Sequence, residues 1–146
     1  MSEARVHEPF DEILEQMQQA TEQFLNGDAT LWKSLCCQTK DVTIAGGWGH
    51  WERGWDEVGA RYDWAEARFV RGHVHYQPVA MGASGDLAYT FGIERSRVRL
   101  AGASEDAPMA LRVTHIYRWE RGCWKLLHRH ADPLMSKEAA EFVIHR

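Results

Sequence analysis

The chain has no long hydrophobic run. No stretch approaches the ~20 apolar residues that a membrane-crossing helix requires, and Met1 to Pro9 are polar, without the apolar core of a signal peptide. Cysteine is sparse: the adjacent pair Cys36 and Cys37, and a distant Cys123. An odd number without metal-type spacing argues against a disulfide framework and points to reduced thiols in a cytoplasmic setting. There is no excess of basic charge. Lys and Arg number 17 against 21 Asp and Glu, a net charge of −4, with the two signs interspersed. Nucleic acid, which needs a basic face, is therefore not an expected partner, and neither is a membrane. Repeats, linkers and low-complexity tracts are missing as well. Residues 1–146 thus read as one domain, long enough to bury roughly two-thirds of its unfolded surface without a disulfide or metal.

Tryptophan is abundant, with seven in 146 residues. Each brings a large apolar area and one N–H that wants a partner, so a thick core, an aromatic cavity or an aromatic interface is expected. Residues 8–25 predict a helix. Phe10, Ile13, Leu14, Met17, Ala20, Phe24 and Leu25 recur at three- and four-residue steps, and Asn26-Gly27 is a fitting stop. Asp28 reads as the N-cap of a short second helix burying Leu31, Trp32, Leu35 and Cys36. Asp41 to Ala45 predicts a short strand, followed by a permissive loop of Gly46, Gly47 and Gly49 around Trp48. A third helix is expected over about 54–69, with Trp55, Val58, Tyr62, Ala65 and Phe69 on its apolar stripe.

Beyond residue 72 the period changes from helix to strand. Long strands are predicted over His73–Ala83, Leu87–Leu100, Met109–Trp119 and Cys123–Ala131. Pro78 requires an edge or a bulge. Leu87, Tyr89, Phe91 and Ile93 mark the core side of the second strand, and a three-residue hairpin loop, 120–122, joins the last two. Pro133 ends the sheet, and Ser136 caps a final short helix through about 143. The element order predicts an α+β fold, three N-terminal helical segments packed on a curved antiparallel sheet, with an open end where a small ligand binds.

Two stretches carry a resemblance. One is Asp41-Val-Thr-Ile-Ala-Gly-Gly-Trp48 with Glu52-Arg-Gly-Trp-Asp-Glu-Val58. The other is Leu111-Arg-Val-Thr-His-Ile-Tyr-Arg-Trp119 with Gly122-Cys-Trp-Lys-Leu-Leu-His-Arg-His-Ala-Asp132. With the element order, they resemble the nuclear transport factor 2-like superfamily, in particular its SnoaL-like and ketosteroid-isomerase-like groups. The resemblance implies a cone-shaped fold and a homodimer through the outer sheet face. It leaves function open, because the superfamily holds isomerases, cyclases, dehydratases and assembly domains.

The three-residue loop sets His115 opposite Leu127 and Val113 opposite Arg129. The odd face, with Leu111, Val113, His115, Tyr117, Leu127, Arg129 and Ala131, is by resemblance the concave one. The even face, with Arg112, Ile116, Trp124, Leu126, His128, His130 and Asp132, is then the dimer surface. His115 is the candidate acid–base residue, because a neutral imidazole both donates and accepts. Arg129 is the candidate stabiliser of negative charge, with an ion pair to Asp63 or Glu66 as the structural alternative. Trp48, Trp51, Trp55, Tyr62, Tyr89, Phe91 and Val113 are the candidate ligand-binding residues. The pairs His73/His75 and His128/His130 share strand faces, but nothing completes a four-ligand set, so neither metal nor cofactor is expected. The expected ligand is a small, largely apolar organic molecule with one polar or acidic group. A cofactor-free isomerase, cyclase or dehydratase, a non-catalytic binding module and a dimeric assembly module all remain compatible with these residues.

Overall fold

The computed structural model describes residues 10–135. Pro9 and the helix expected after Ser136 lie outside them. The first helix, α1 (Phe10–Leu25), buries Ile13, Met17 and Ala20 along the stripe its spacing predicts. A short helix follows, α2 (Thr30–Ser34), with Trp32 buried. Ala29, not Asp28, occupies its N-cap position, although the Asp28 carboxylate still accepts the Thr30 N–H at 3.0 Å. Strand β1 (Thr43–Ala45) and an unanticipated two-residue strand β2 (Glu52–Arg53) precede helix α3 (Trp55–Glu66). Helix α3 ends three residues early. Phe69 opens the next strand, where it packs with Leu25 and Val98 in a small second core, and this contact overrides the helical period.

Four long strands complete the fold: β3 (Phe69–Ser84), β4 (Leu87–Leu100), β5 (Ala107–Glu120) and β6 (Cys123–Pro133). The sheet order is β2-β1-β6-β5-β4-β3. It is mixed rather than wholly antiparallel, because β1 runs parallel to β6, with Thr43 beside His128 and Ile44 beside Arg129. Pro78 lies on the edge strand at a register shift between Pro78 and Ala80, the place a residue without an N–H is tolerated. Helix α1 is stitched to this edge by side chains. Glu22 Oε2 accepts the Val74 N–H at 3.0 Å, and Asn26 Nδ2 donates to the Gly72 carbonyl at 2.9 Å. Among the described residues, no helix is long and apolar enough to cross a membrane.

The last hairpin corrects the expected pairing twice. Its loop is two residues, since Glu120 pairs with Cys123 and both Arg121 (φ 50°) and Gly122 (φ 87°) take the left-handed conformation of a tight I′-type turn. That alone reverses the facing of every later residue. A bulge then restores it: Tyr117 pairs with Leu126 and Ile116 with His128, leaving Leu127 as the extra residue. The outcome is that His115 lies directly opposite Arg129, and Val113 opposite Ala131. Nearer the turn, Trp124 and Leu126 face inward, against expectation. Trp124 is 4% exposed and packs edge-on against Phe10 and Trp119, so it is core and not a dimer surface.

Strand β4 is also turned over. Its buried residues are Ala88, Thr90, Gly92, Ile93, Glu94 and Val98; of the residues expected on the core side Ile93 is buried, whereas Leu87 (50% exposed) and Tyr89 (44%) stand on the outer face with Phe91. The concave side is built of small residues because helices and a cavity must fit against it.

Candidate functional site

Helices and sheet enclose a cleft of about 380 Å³. Its walls are largely aromatic and aliphatic: Phe24 of α1, Trp32 of α2, Tyr62 of α3, Phe69 of β3, and Met109 and Leu111 of β5. Trp48, from the glycine-rich loop, stands at the rim. Its ring lies 5.5 Å from that of Phe69 and 5.4 Å from that of Trp64. Three charged side chains reach this space, Glu94, Arg129 and Arg61.

Glu94 and Arg129 form a bidentate pair. Arg129 Nη1 donates to Glu94 Oε2 at 2.9 Å and Nη2 to Oε1 at 3.0 Å, with the two side chains only 13% and 9% exposed. Neither Asp63 nor Glu66 is the partner; Asp63 pairs with Lys33 instead. Burial opposes the charge of Arg129, but the Glu94 carboxylate outweighs it and raises the pKa of the guanidinium. The guanidinium lies 5.3 Å from the centre of the Trp32 ring, and its Nη1 is 3.0 Å from His115 Nε2.

This contact fixes the histidine tautomer. A guanidinium can only donate, so Nε2 accepts, and the proton sits on Nδ1, which donates to the Tyr117 hydroxyl at 3.0 Å. Burial, with the Arg129 charge behind it, drives the His115 pKa well below its ordinary value, so the ring is neutral. Both ring nitrogens are engaged, which leaves His115 no lone pair to offer a ligand. The role expected of it as acid–base residue does not fit this arrangement; it fits that of a support for Arg129.

The cluster is a wall between two spaces. A smaller cavity of about 140 Å³ lies on the other side, lined by His115, Tyr117, Tyr76, Thr90 and Leu14. Glu94 lines both cavities, Arg129 the larger and His115 the smaller. The phenol of Tyr76 lies so close over Gly92 that any β-carbon there would collide with it. Burial pushes the pKa of the Tyr76 and Tyr117 phenols up, partly offset by the neighbouring Thr90 hydroxyl. The buried Trp32 Nε1 makes no hydrogen bond of good geometry among the described residues, with the Tyr62 oxygen its loose neighbour.

Of the expected ligand-binding residues, Trp48 and Tyr62 line the cleft. Trp51 does not: it is 62% exposed and stacks on His50. Trp55 packs on the core, and Val113 is buried without lining either cavity. Tyr89 and Phe91 are on the opposite face of the sheet, for the reason given above. Sequence reasoning missed Glu94, Trp32 and Arg61. A signal for Glu94 was available. It is the one acid in an alternating series of small residues, Ala88, Thr90, Gly92 and Ser96. Among the described residues no cluster of three metal-ligating side chains is present. His73 pairs with Glu22, and His128 Nδ1 lies 2.7 Å from the Thr43 hydroxyl. Cys36 and Cys37 are free and buried, and burial pushes both thiols up to about 12, far from the reactive range.

No family model matches the chain, and no curated protein matches it in sequence. Solved structures match it in shape. A nuclear transport factor 2-like superfamily protein from Salmonella enterica serovar Typhimurium superposes with a TM-score of 0.76 at 18% identity, over 90% of this chain and 94% of that one. A candidate dehydratase of the same family from Streptomyces avermitilis gives 0.71 at 20% identity, over 88% and 100%. The CamKII hub homology domain of Chlamydomonas reinhardtii gives 0.65 at 16% identity, over 86% and 98%. The chain therefore has the nuclear transport factor 2-like fold.

Proposed function

On the premise of that fold, we propose that the chain binds a small, largely apolar organic molecule in the larger cleft, with the Glu94 carboxylate as the polar contact. The observation that carries this reading is a buried carboxylate held by a bidentate arginine in an otherwise apolar wall. The pair is neutral as a unit, so it asks for no counter-ion. Carboxylate oxygens that accept from Arg129 keep lone pairs free, and these suit a ligand hydroxyl or a carbon acid. Arg129 and His115 are positioning residues in this reading. Should the protein be catalytic, Glu94 is the general base of a cofactor-free isomerisation, cyclisation or dehydration, with Arg129 stabilising the charge that develops. A cytoplasmic setting fits the three free thiols.

The test uses 2-naphthol, an apolar body with one hydroxyl. Calorimetry on the wild type is expected to give saturable binding. Glu94→Gln should weaken it about tenfold or more, the loss of a charge-assisted hydrogen bond, and Ala110→Phe, which fills the cleft, should abolish it. Binding that survives both substitutions would sink the assignment.

A second reading has its own observation. The outer face of β4 exposes Leu87 and Tyr89 beside Phe91 and Ile116, an apolar strip that suits a partner. A homodimer through this face, with or without an occupied cleft, is the expected arrangement. Sedimentation should show a dimer that Tyr89→Asp converts to monomer; a monomeric wild type removes this reading.

A further inference from the structure

Resting on the cleft reading above, we infer that the ligand is an amphiphile with an anionic head, and that Arg61 at the cleft mouth is the residue that selects it. The inference comes from comparing the two arginines that line the cleft. Arg129, in the deep wall, spends its guanidinium on Glu94 and His115. Arg61 makes no hydrogen bond among the described residues. Its nearest carboxylate is Glu52, whose Oε1 stands 3.9 Å from Nε, the outer limit of an ion pair. Glu52 is shared, with His50 Nδ1 3.7 Å from its other oxygen. The Arg61 guanidinium instead lies over an aromatic ring, its central carbon 3.9 Å from the Trp64 ring centre.

That geometry is a preformed anion site. The contact with Trp64 holds the guanidinium in place without using its N–H donors, which remain free for a carboxylate or a sulfonate. The side chain is 26% exposed, so the charge is partly desolvated yet still reachable. A second cation reinforces the rim: the Arg68 guanidinium carbon lies 4.5 Å from the same Trp64 ring, tied by Nε to the Trp64 carbonyl at 3.2 Å. Trp48 packs edge-on against Trp64 and bridges this basic rim to the apolar interior. The cleft thus has a charge-compensated carboxylate, Glu94, in its deep wall and a loosely paired donor cation, Arg61, at its mouth. The matching molecule carries a hydroxyl or acidic C–H at one end, a rigid aromatic or alicyclic body, and a single negative charge at the other end. The Arg61 contact adds specificity by sign of charge, because nothing apolar at the mouth distinguishes an acid from its ester.

The experiment compares 6-hydroxy-2-naphthoate with its methyl ester by calorimetry at low ionic strength. Both share body and hydroxyl, and only the charge differs. Wild type should bind the acid about tenfold more tightly than the ester, the worth of one charge-assisted contact, and added salt should shrink the gap. Arg61→Met, which keeps the apolar stem, should remove the preference, so that acid and ester bind alike. Arg68→Met, which leaves the cleft lining intact, should reduce the preference only slightly. Equal binding of acid and ester by wild type, or a preference that persists in Arg61→Met, overturns the inference and leaves the cleft reading standing. Failure of wild type to bind either compound overturns both.

Discussion

Arg118 of β5 and Arg129 of β6 are both clamped by carboxylates. Arg118, on the outer side, donates to Asp41 at 2.6 and 3.1 Å and to Glu120 at 2.9 and 2.6 Å. It ties the approach to β1 onto the long hairpin. Arg129 makes fewer bonds, to Glu94 and His115, at similar lengths. Bond count would rank Arg118 first. Surroundings reverse the order. Asp41 is half exposed, so water and salt compete for the contacts Arg118 makes to it. Glu94 and Arg129 are largely buried in the wall of the cleft, where neither finds much solvent if the other is lost. One cluster is a replaceable surface tie; the other is the polar element around which the interior is arranged.

The largest expected effect separates the two directly. Arg129→Met strands the Glu94 carboxylate in an apolar wall and should cost about 3–5 kcal/mol in denaturant unfolding, whereas Arg118→Met should cost under about 1 kcal/mol. The double change Glu94→Leu with Arg129→Met should recover most of that loss, since a buried pair adds little net stability over well-packed apolar residues. Comparable losses from Arg118→Met and Arg129→Met would erase the distinction.

A smaller effect sharpens it through pH. The neutral state of His115 is enforced by burial and by Arg129, so its pKa in the folded protein lies below the ordinary value of about 6.5. The unfolded chain then binds the extra proton first. Stability is full above about pH 6.5 and falls as the pH drops, by about 1.4 kcal/mol per pH unit for one proton. His115→Gln should flatten that slope by one proton between pH 6.5 and 5. Some slope should remain, because burial and the neighbouring His130 also lower the pKa of the half-buried His128. An unchanged slope would mean that His115 is not held neutral by its surroundings.

These contrasts were only partly legible in the chain. The helical stripe from Ile13 to Ala20, the strands from Leu87 onward and the bulge at Pro78 follow from spacing and from proline's missing N–H. The facing of β4 does not. A hydrophobicity argument puts Leu87, Tyr89 and Phe91 inward, yet a concave face that must hold helices and a cleft needs small residues, and large apolar ones are displaced outward. The same argument turns Glu94 outward, away from the cleft it lines. In β6 the tight turn at Arg121-Gly122 and the extra Leu127 each reverse the alternation. They cancel at His115 and Arg129, so the face expected for those two holds although the expected pairing does not. Trp124, lying between turn and bulge, faces inward against the expected alternation because only one reversal acts on it. Nothing local in the sequence marks Leu127 as the unpaired residue.

The contact between Gly92 and Tyr76 has an evolutionary consequence. The phenol occupies the room a β-carbon at position 92 would need, so position 92 is not free to gain a side chain while the ring stays where it is. A lineage that gains a side chain at 92 must first surrender the ring at 76, and the space vacated enlarges the smaller cavity. Relatives should therefore lack one combination, a side chain at 92 together with a large aromatic at 76. That exclusion makes the pair a marker for cavity size that can be read from sequence in relatives of this chain.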